Sequence, residues 1–245
     1  MTVTTQTISG WGGYPQQEAD VLTPLALSSC QSQLQRNVSL LARGMGRSYG
    51  DSANAATVLQ TSYLNHFIAF DSDTGLLTVE AGVMLRDILK VTVKRGWFLP
   101  VTPGTSFVTV GGAIASDVHG KNHHVAGTFG QHVVSMTLLL GTGETVTTSP
   151  TKLPDLFHAT CGGVGLTGVI LTATIQLIPI QSARIEQKTI KTGSLEEACA
   201  AFEENGDSTY SVAWIDCLAT GKQLGRSVLM VGEHAKDGGL DLAIK

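Results

Sequence analysis

A chain of 245 residues with 42% hydrophobic and 15% charged residues is a folded globular protein of one large domain or two modest ones, not a disordered one. Its formal net charge of −4 supplies no broad basic field for gripping nucleic acid, so a nucleic-acid partner is not expected. Cys30, Cys161, Cys199 and Cys217 form no CxxC pair, and their wide spacing suits a reducing compartment or buried thiols better than a disulfide framework.

The opening MTVTTQTISGWGG has neither a basic start nor an apolar run, so no signal peptide is expected. Residues 1–20 read as an extended lead-in, and VSLLARG (38–44) as a short strand running into glycines. HFIAFDSDTGLLTVEAG (66–82) predicts a hairpin turned by DSDTG. In MLRDILKVTVKRG (84–96), Leu85, Ile88, Leu89 and Thr92 recur at helical spacing. The predicted helix stops at Gly96, with Lys94 and Arg95 complementing its dipole. From 97 to 124, Pro and Gly repeatedly interrupt apolar segments. HVVSMTLLLGTGETVTT (132–148) is a second hairpin, and LPDLFHATCGG (153–163) a short helix closing at glycine. LTGVILTATIQLIPI (166–180) falls short of the ~18 apolar residues of a membrane span, and its threonines and β-branched residues mark a buried strand or bent strand pair.

The texture changes after Pro179, and a boundary is expected near 181–192, dividing the chain into 1–182 and 183–245. SLEEACAAFEENG (194–206) is an amphipathic helix with a Ser194/Glu197 capping box and Leu195, Ala198, Cys199 and Phe202 on one face. Strands follow at 209–218 and 226–234. Cys161 and Cys217 read as buried small hydrophobes. Asp216 reads as a solvated strand-end carboxylate or a base. Hairpins outnumber βαβ units, so the fold class is α+β rather than doubly wound.

Three glycine clusters stand between these elements: ARGMGRSYGD (42–51), PGTSFVTVGG (103–112) and CGGVGLTG (161–168). Glycines let a ligand reach main-chain N–H groups, and several such groups around one concavity bind an anion such as a pyrophosphate. One cluster alone is ordinary turn chemistry. Neither the Rossmann fingerprint nor a P-loop is present. After Gly44 and Gly46 the Rossmann pattern needs glycine where Tyr49 stands, and Gly50 comes one residue late.

GRSYGD, TPGT…VTVGGAIASDVHGKNHH and GGVGLTGVI together resemble the FAD-linked oxidases of the vanillyl-alcohol-oxidase type, and within them the decaprenylphosphoryl-β-D-ribose 2′-oxidase family. SGWGG and AWIDCLATGKQLGRSVL fit the same pattern. The resemblance implies a two-subdomain FAD-binding domain of the PCMH type followed by the start of an α+β substrate domain. It implies FAD held by Gly44, Met45, Gly46, Arg47, Ser48, Tyr49 and Gly50, by Pro103, Gly104, Thr105, Gly111 and Gly112, and along Ser116, Val118 and His119. Gly163, Gly165 and Val169 would lie on the adenine and ribose side. Many relatives carry a flavin-linked histidine after the second glycine of the first loop. Arg47 stands there, so non-covalent FAD is expected.

His119, His123 and His124 admit three readings: a metal site, a solvated loop, or a wall facing the flavin. Gly120 and Asn122 are poor helix formers, and beyond Asp117 no convincing third ligand lies nearby, so no metal is expected. Oxidising an alcohol requires a hydride acceptor and a group that takes the hydroxyl proton. Histidine titrates near neutrality, and lysine holds an alkoxide or phosphate as a point charge. Alternation in an extended segment would aim His119 and Lys121 to one side. The third reading is therefore preferred, with His119 as proton acceptor or relay and Lys121 as substrate anchor.

The resemblance adds Trp214 at the substrate, though a lone strand tryptophan is more often core. It implies a lipid-linked sugar phosphate as substrate, oxidised at the ribose 2-hydroxyl, and a partner reductase that completes an epimerisation. A cytoplasmic or membrane-peripheral location follows. Members of the family continue well beyond residue 245, so the chain reads as a fragment, as one half of a split enzyme whose missing half is a separate chain, or as a degenerate homologue.

Overall fold

The computed structural model describes residues 2–36 and 39–241. The expected lead-in is a strand pair: β1 (Thr2–Ser9) and β2 (Gln16–Thr23) run antiparallel over their whole lengths. Helix α1 (Leu27–Arg36) follows. Then β3 (Leu41–Arg43) and β4 (Thr57–Gln60) add in parallel, giving the order β1-β2-β4-β3. The strand expected at 38–44 is thus present from Leu41, and Val38 lies outside the described residues. Ile8, Ala19, Val21 and Val58 form one small core on this sheet.

The hairpin expected at 66–82 is β5 (Phe67–Asp71) and β6 (Leu76–Glu80). Asp71 closes its turn by accepting from the Thr74 hydroxyl at 2.7 Å and from the Asp73 N–H at 2.9 Å. Helix α2 (Leu85–Thr92) buries Leu85 and Ile88, then tightens into a 3₁₀ turn and stops at Gly96, whose φ of 79° is left-handed. Arg95 Nη1 donates to the Val91 carbonyl at 2.7 Å, the terminal cation the helix dipole favours.

The next elements are β7 (Trp97–Phe98), α3 (Val110–Ala115), α4 (His123–Ala126), β8 (Val133–Leu139), β9 (Thr145–Thr148), α5 (Pro154–Thr160), β10 (Val169–Gln176) and β11 (Ile178–Pro179). The second sheet has the order β5-β6-β10-β8-β9, antiparallel throughout, while β7 and β11 pair beside it. β10 is its central strand. A register shift between Ile170 and Thr172 lets it serve two cores. Ile170, Ala173 and Ile175 enter the main core with α2 and α3, while Val169 and Leu171 enter a second core with Leu22, Cys30 and Leu59. This two-sided burial explains an apolar run without clean alternation. Burial also pushes the Cys30 thiol up to about 11.

The last unit is a three-stranded antiparallel sheet of β12 (Ile185–Thr192), β13 (Tyr210–Ile215) and β14 (Ser227–His234), in the order β12-β14-β13, with helix α6 (Leu195–Glu204) on one face. β12 fills most of the stretch read as a boundary; its polar IEQKTIKT carries little apolar alternation. Ser194 caps α6 as expected, its Oγ accepting the Glu197 N–H at 3.2 Å, while Glu197 reaches back to the Gly193 N–H at 2.7 Å. The buried face differs from the expected one. Ala198 and Ala201 are buried, and Ala201 packs with Leu229 and Val231, whereas Leu195, Cys199 and Phe202 are exposed. The contact is made through alanines, which let the helix approach the sheet closely. Cys217 is exposed rather than buried, because it follows the end of β13.

Phe129 has no exposed surface and lies in the main core beneath the HGKNHH segment, its N–H donating to the Val118 carbonyl at 2.9 Å. Phe129→Ala is expected to lower stability by about 3–5 kcal/mol, read from urea unfolding.

Candidate flavin site

The site is organised by α3. Its Val110, Ala113 and Ile114 have no exposed surface, which seats the helix firmly in the main core. Thr109 caps it, Oγ1 accepting the Gly112 N–H at 3.1 Å. Gly111 donates its N–H to the Ala81 carbonyl at 2.8 Å. At six residues α3 spans only about 9 Å. All three glycine clusters therefore converge within a short distance.

The first cluster meets the N-terminal end. A Cβ on Gly44 would lie 2.4 Å from Thr109 Oγ1, so only glycine permits this approach. Gln60 Nε2 donates to the Gly44 carbonyl at 2.6 Å, and the Thr61 hydroxyl to the Arg43 carbonyl at 3.2 Å. The buried Arg43 guanidinium donates to the Ser9 carbonyl at 2.7 Å, the Ala53 carbonyl at 2.8 Å and Asn54 Oδ1 at 2.9 Å. Burial, then the Arg47 charge, lowers its pKa. The turn after β1 covers the loop, with Trp11 N–H donating to the Ser48 carbonyl at 2.9 Å and the Trp11 and Tyr49 rings edge to face at 6.0 Å. Tyr49 is 78% exposed. Met45 and Arg47 are joined by an Arg47 Nη1 bond to the Met45 carbonyl at 2.8 Å, and Arg47 is itself exposed.

The third cluster meets the other end of α3. Gly162 N–H donates to the Ile114 carbonyl at 3.0 Å and Val164 N–H to the Ala115 carbonyl at 2.9 Å. Gly165 lies against Leu41 and Ala42, bringing this cluster beside the strand that leads into the first. Gly163 packs on α5 at Ala159. Val169 is buried in the second core, so it can face a ligand only through its main chain. Within PGT, Pro103 and Thr105 are half-buried and Gly104 is exposed, facing open space.

From α3 the chain passes Ser116, an exposed cap residue, into the histidine segment. Asp117 adopts a left-handed φ of 39° and accepts the Gly130 N–H at 2.8 Å. Its charge adds to burial in raising the Cys161 thiol to about 11. Val118 packs against the main core. His119 makes an isolated bridge to Thr128, after which the chain turns. The strand alternation expected to align His119 with Lys121 thus ends at His119. Asn122 then precedes the short helix α4, so His119 and His123 do not share a helix; their ring centroids are 5.3 Å apart. Both are exposed, as is Lys121. Among the described residues no group of three His, Cys, Asp or Glu side chains converges to hold a metal.

Asn122 is 2% exposed, with Nδ2 donating to the Pro100 carbonyl at 2.7 Å. The Lys121 carbonyl accepts the Ser211 N–H of β13 at 2.9 Å, and His124 Nε2 lies 2.9 Å from the Ser208 carbonyl. The segment is therefore bound to the C-terminal sheet. Trp214 lies three residues beyond Ser211, about 10 Å along β13. It is 76% exposed, not core. Asp216 is paired with Arg226, Oδ2 accepting Nε at 2.8 Å and Nη2 at 2.6 Å, and this pairing lowers its pKa. Its carboxylate is engaged as an ion-pair partner rather than poised as a base.

Thr109, Gln60, Arg43 and Trp11 support the loops without having been singled out beforehand. Thr109 carried a signal, a capping residue before an apolar run, but the two glycines that follow obscure it. Two grooves lie away from the glycine loops, one of about 510 Å³ beside Phe67, Phe70, Val91 and Arg95 and another of about 330 Å³ beside Leu27, Gln31 and Leu171. Neither contains a glycine-loop residue. The chemistry of the loops fits a dinucleotide. Ser48 Oγ is buried without a hydrogen-bond partner in the first loop, as is Asn122 Oδ1 in the histidine segment, and Gly50 and Gly104 leave the adjoining space open.

Residues 14–149 match a family model described as an FAD binding domain. Decaprenylphosphoryl-beta-D-ribose oxidase of Mycolicibacterium smegmatis is 41% identical over 243 residues, covering 95% of this chain and 53% of that protein. L-gulonolactone oxidase of Mus musculus is 33% identical over 148 residues, 59% of this chain and 33% of that protein. An uncharacterized protein of Streptomyces coelicolor is 40% identical over 154 residues, 62% of this chain and 41% of that protein. The chain spans about half the length, or less, of the curated relatives it matches. FAD is the cofactor these likenesses point to, and the chain belongs to the FAD-binding-domain family.

Proposed function

We propose that the chain is the flavin-binding half of an FAD-dependent oxidoreductase that oxidises the 2-hydroxyl of a polyprenylphosphoryl-ribose to a ketone. The observation that carries this reading is the convergence of three glycine loops on α3, with His119 and Lys121 leaving the same helix toward β13. The likeness to decaprenylphosphoryl-beta-D-ribose oxidase supports the substrate class. A reductase that reduces the ketone would complete the epimerisation. The division at residues 182 and 183 separates the flavin domain from a partial substrate domain.

FAD, when bound, supplies the acceptor for the hydride that leaves the carbinol carbon. The chain's own residues do the rest. His119 takes the hydroxyl proton as the C–H bond breaks and the C=O bond forms, and the neighbouring His123 ring gives that proton an onward partner. Lys121 places a cation against the developing alkoxide or the substrate phosphate. Trp214 offers an exposed aromatic face to the sugar. Main-chain N–H groups between Gly44 and Gly50 and at Gly104 and Thr105 hold the pyrophosphate, Pro103, Gly111 and Gly112 shape the cradle around it, and Gly163 and Gly165 lie on the nucleoside side. Arg47 forms no flavin bond, so FAD is held non-covalently. Among the described residues no helix is long and apolar enough to cross a membrane. A lipid-linked substrate places the reaction at a membrane surface.

A second reading has specific support. Trp214, Ile215, Leu218 and Leu224 are exposed around one end of the C-terminal sheet. Such a surface suits a further polypeptide that completes the substrate domain, making this chain a flavin-binding subunit inactive alone. An oxidase of another sugar or alditol would use the same flavin half.

Purified chain titrated with FAD is expected to turn yellow, and acid precipitation to release the flavin into the supernatant. Flavin retained in the pellet would refute non-covalent binding, and failure to take up FAD would refute the flavin-half reading. Gly44→Ala forces the first loop away from Thr109, and at least about a tenfold weaker FAD affinity is expected in the same titration. Lys121→Ala is expected to leave FAD bound with an unchanged spectrum and to lower kcat at least about a hundredfold in a complete, active assembly. Unaltered turnover would remove Lys121 from the mechanism.

A further inference from the structure

β13 and the loop carrying Lys121 are held together by a closed circuit of contacts. Lys121 accepts through its carbonyl from the Ser211 N–H at 2.9 Å. The next residue along the loop, Asn122, donates from Nδ2 to the Pro100 carbonyl at 2.7 Å. Two residues before Pro100 stands Phe98 of β7, whose ring meets the His234 ring edge to face at 5.0 Å. His234 Nε2 lies 3.0 Å from the Tyr210 hydroxyl, and those two rings are edge to face at 5.6 Å. Tyr210 is bonded through the chain to Ser211, which closes the ring. Burial lowers the His234 pKa and raises that of Tyr210 to about 12, so both groups stay neutral at ordinary pH and share one hydrogen bond between the hydroxyl and Nε2.

Tyr210 and His234 share the sheet face opposite α6. Ser211, between them and the loop, points its N–H outward from the sheet edge to a single main-chain acceptor. One hydrogen bond between main chains fixes little by itself. The aromatic stack beside it sets the distance at which β13 stands from the β7 and Pro100 segment. We propose that Tyr210 and His234 are positioning residues that seat β13 against this segment and thereby set where the Lys121 ammonium stands. Neither touches the reacting atoms. The consequence for catalysis rests on the function proposed above; the docking does not.

Hydrogen exchange of the full chain, followed amide by amide, tests this directly, because the Ser211 N–H reports the Lys121 contact. Tyr210→Phe removes only the hydroxyl. It is expected to speed Ser211 exchange about tenfold, equivalent to about 1.4 kcal/mol, with the amides of β6 and β10 unchanged. His234→Ala is expected to do the same or more. His234→Gln, which keeps a polar tip for the hydroxyl, is expected to hold Ser211 within about threefold of its original rate. Unchanged Ser211 exchange in both Tyr210→Phe and His234→Ala overturns the proposal. So does acceleration spread equally over β6 and β10, which marks global destabilisation instead. FAD uptake and the Lys121→Ala measurement are independent of these amides. A functional reading that fails there leaves the docking result standing, and the reverse holds too.

Discussion

The burial of α3 is the constraint on which the site depends. A six-residue helix has almost no intrinsic stability, and this one contains two adjacent glycines. It exists because Val110, Ala113 and Ile114 are enclosed in the main core and because Thr109 satisfies an N-terminal donor. Once α3 is fixed, the loops around it have little choice. The Gly44 loop closes on Thr109, the Gly162–Val164 turn closes on the last carbonyls, and the chain leaving the helix must carry Asp117 to Lys121 past both. A perturbation that shifts α3 would move every proposed flavin contact together.

The first loop has its own anchor in Arg43. Removing a guanidinium from water is costly unless its donors are satisfied, and here two carbonyls and an amide oxygen receive them. The cation ties the end of β1 to the loop before β4, so the loop between β3 and Asp51 is held at both ends by buried polar contacts. Its Ser48 Oγ is left buried and unpartnered, a cost tolerated at sites where another molecule completes the set.

The C-terminal sheet is attached through the very segment proposed to bind substrate. Lys121 bonds to the main chain of β13 at Ser211, and His124 to that of Ser208 just before the strand. The proposed substrate anchor and the C-terminal sheet are thus coupled mechanically, and the position of one follows that of the other. At the far end of the same strand Trp214 is exposed, as is Leu218 just beyond it.

Much of this was legible in the residues. Asp71, Thr74 and Gly75 announce the first hairpin because turn chemistry is local, and Gly96 ends its helix for a reason that acts within one residue. Ser194 and Glu197 mark the start of α6 in the same way, and the glycine clusters with HGKNHH identify the family and the cofactor. What local chemistry could not determine were the elements whose stability comes from elsewhere in the chain. α3 lacks helix propensity and is made by core burial. β12 lacks apolar alternation and is made by pairing with β14. The buried side of α6 is its alanines because the sheet beneath requires a close approach. The extended course expected through Lys121 gives way to a turn because Asn122 is bound to Pro100, a contact across 22 positions. The sequence by itself determined the turns, caps, family and cofactor, since these depend on neighbouring residues and short motifs. Only the tertiary structure decided that three separate glycine loops meet on one helix and that Lys121 is seated by β13, because those placements depend on contacts between distant residues.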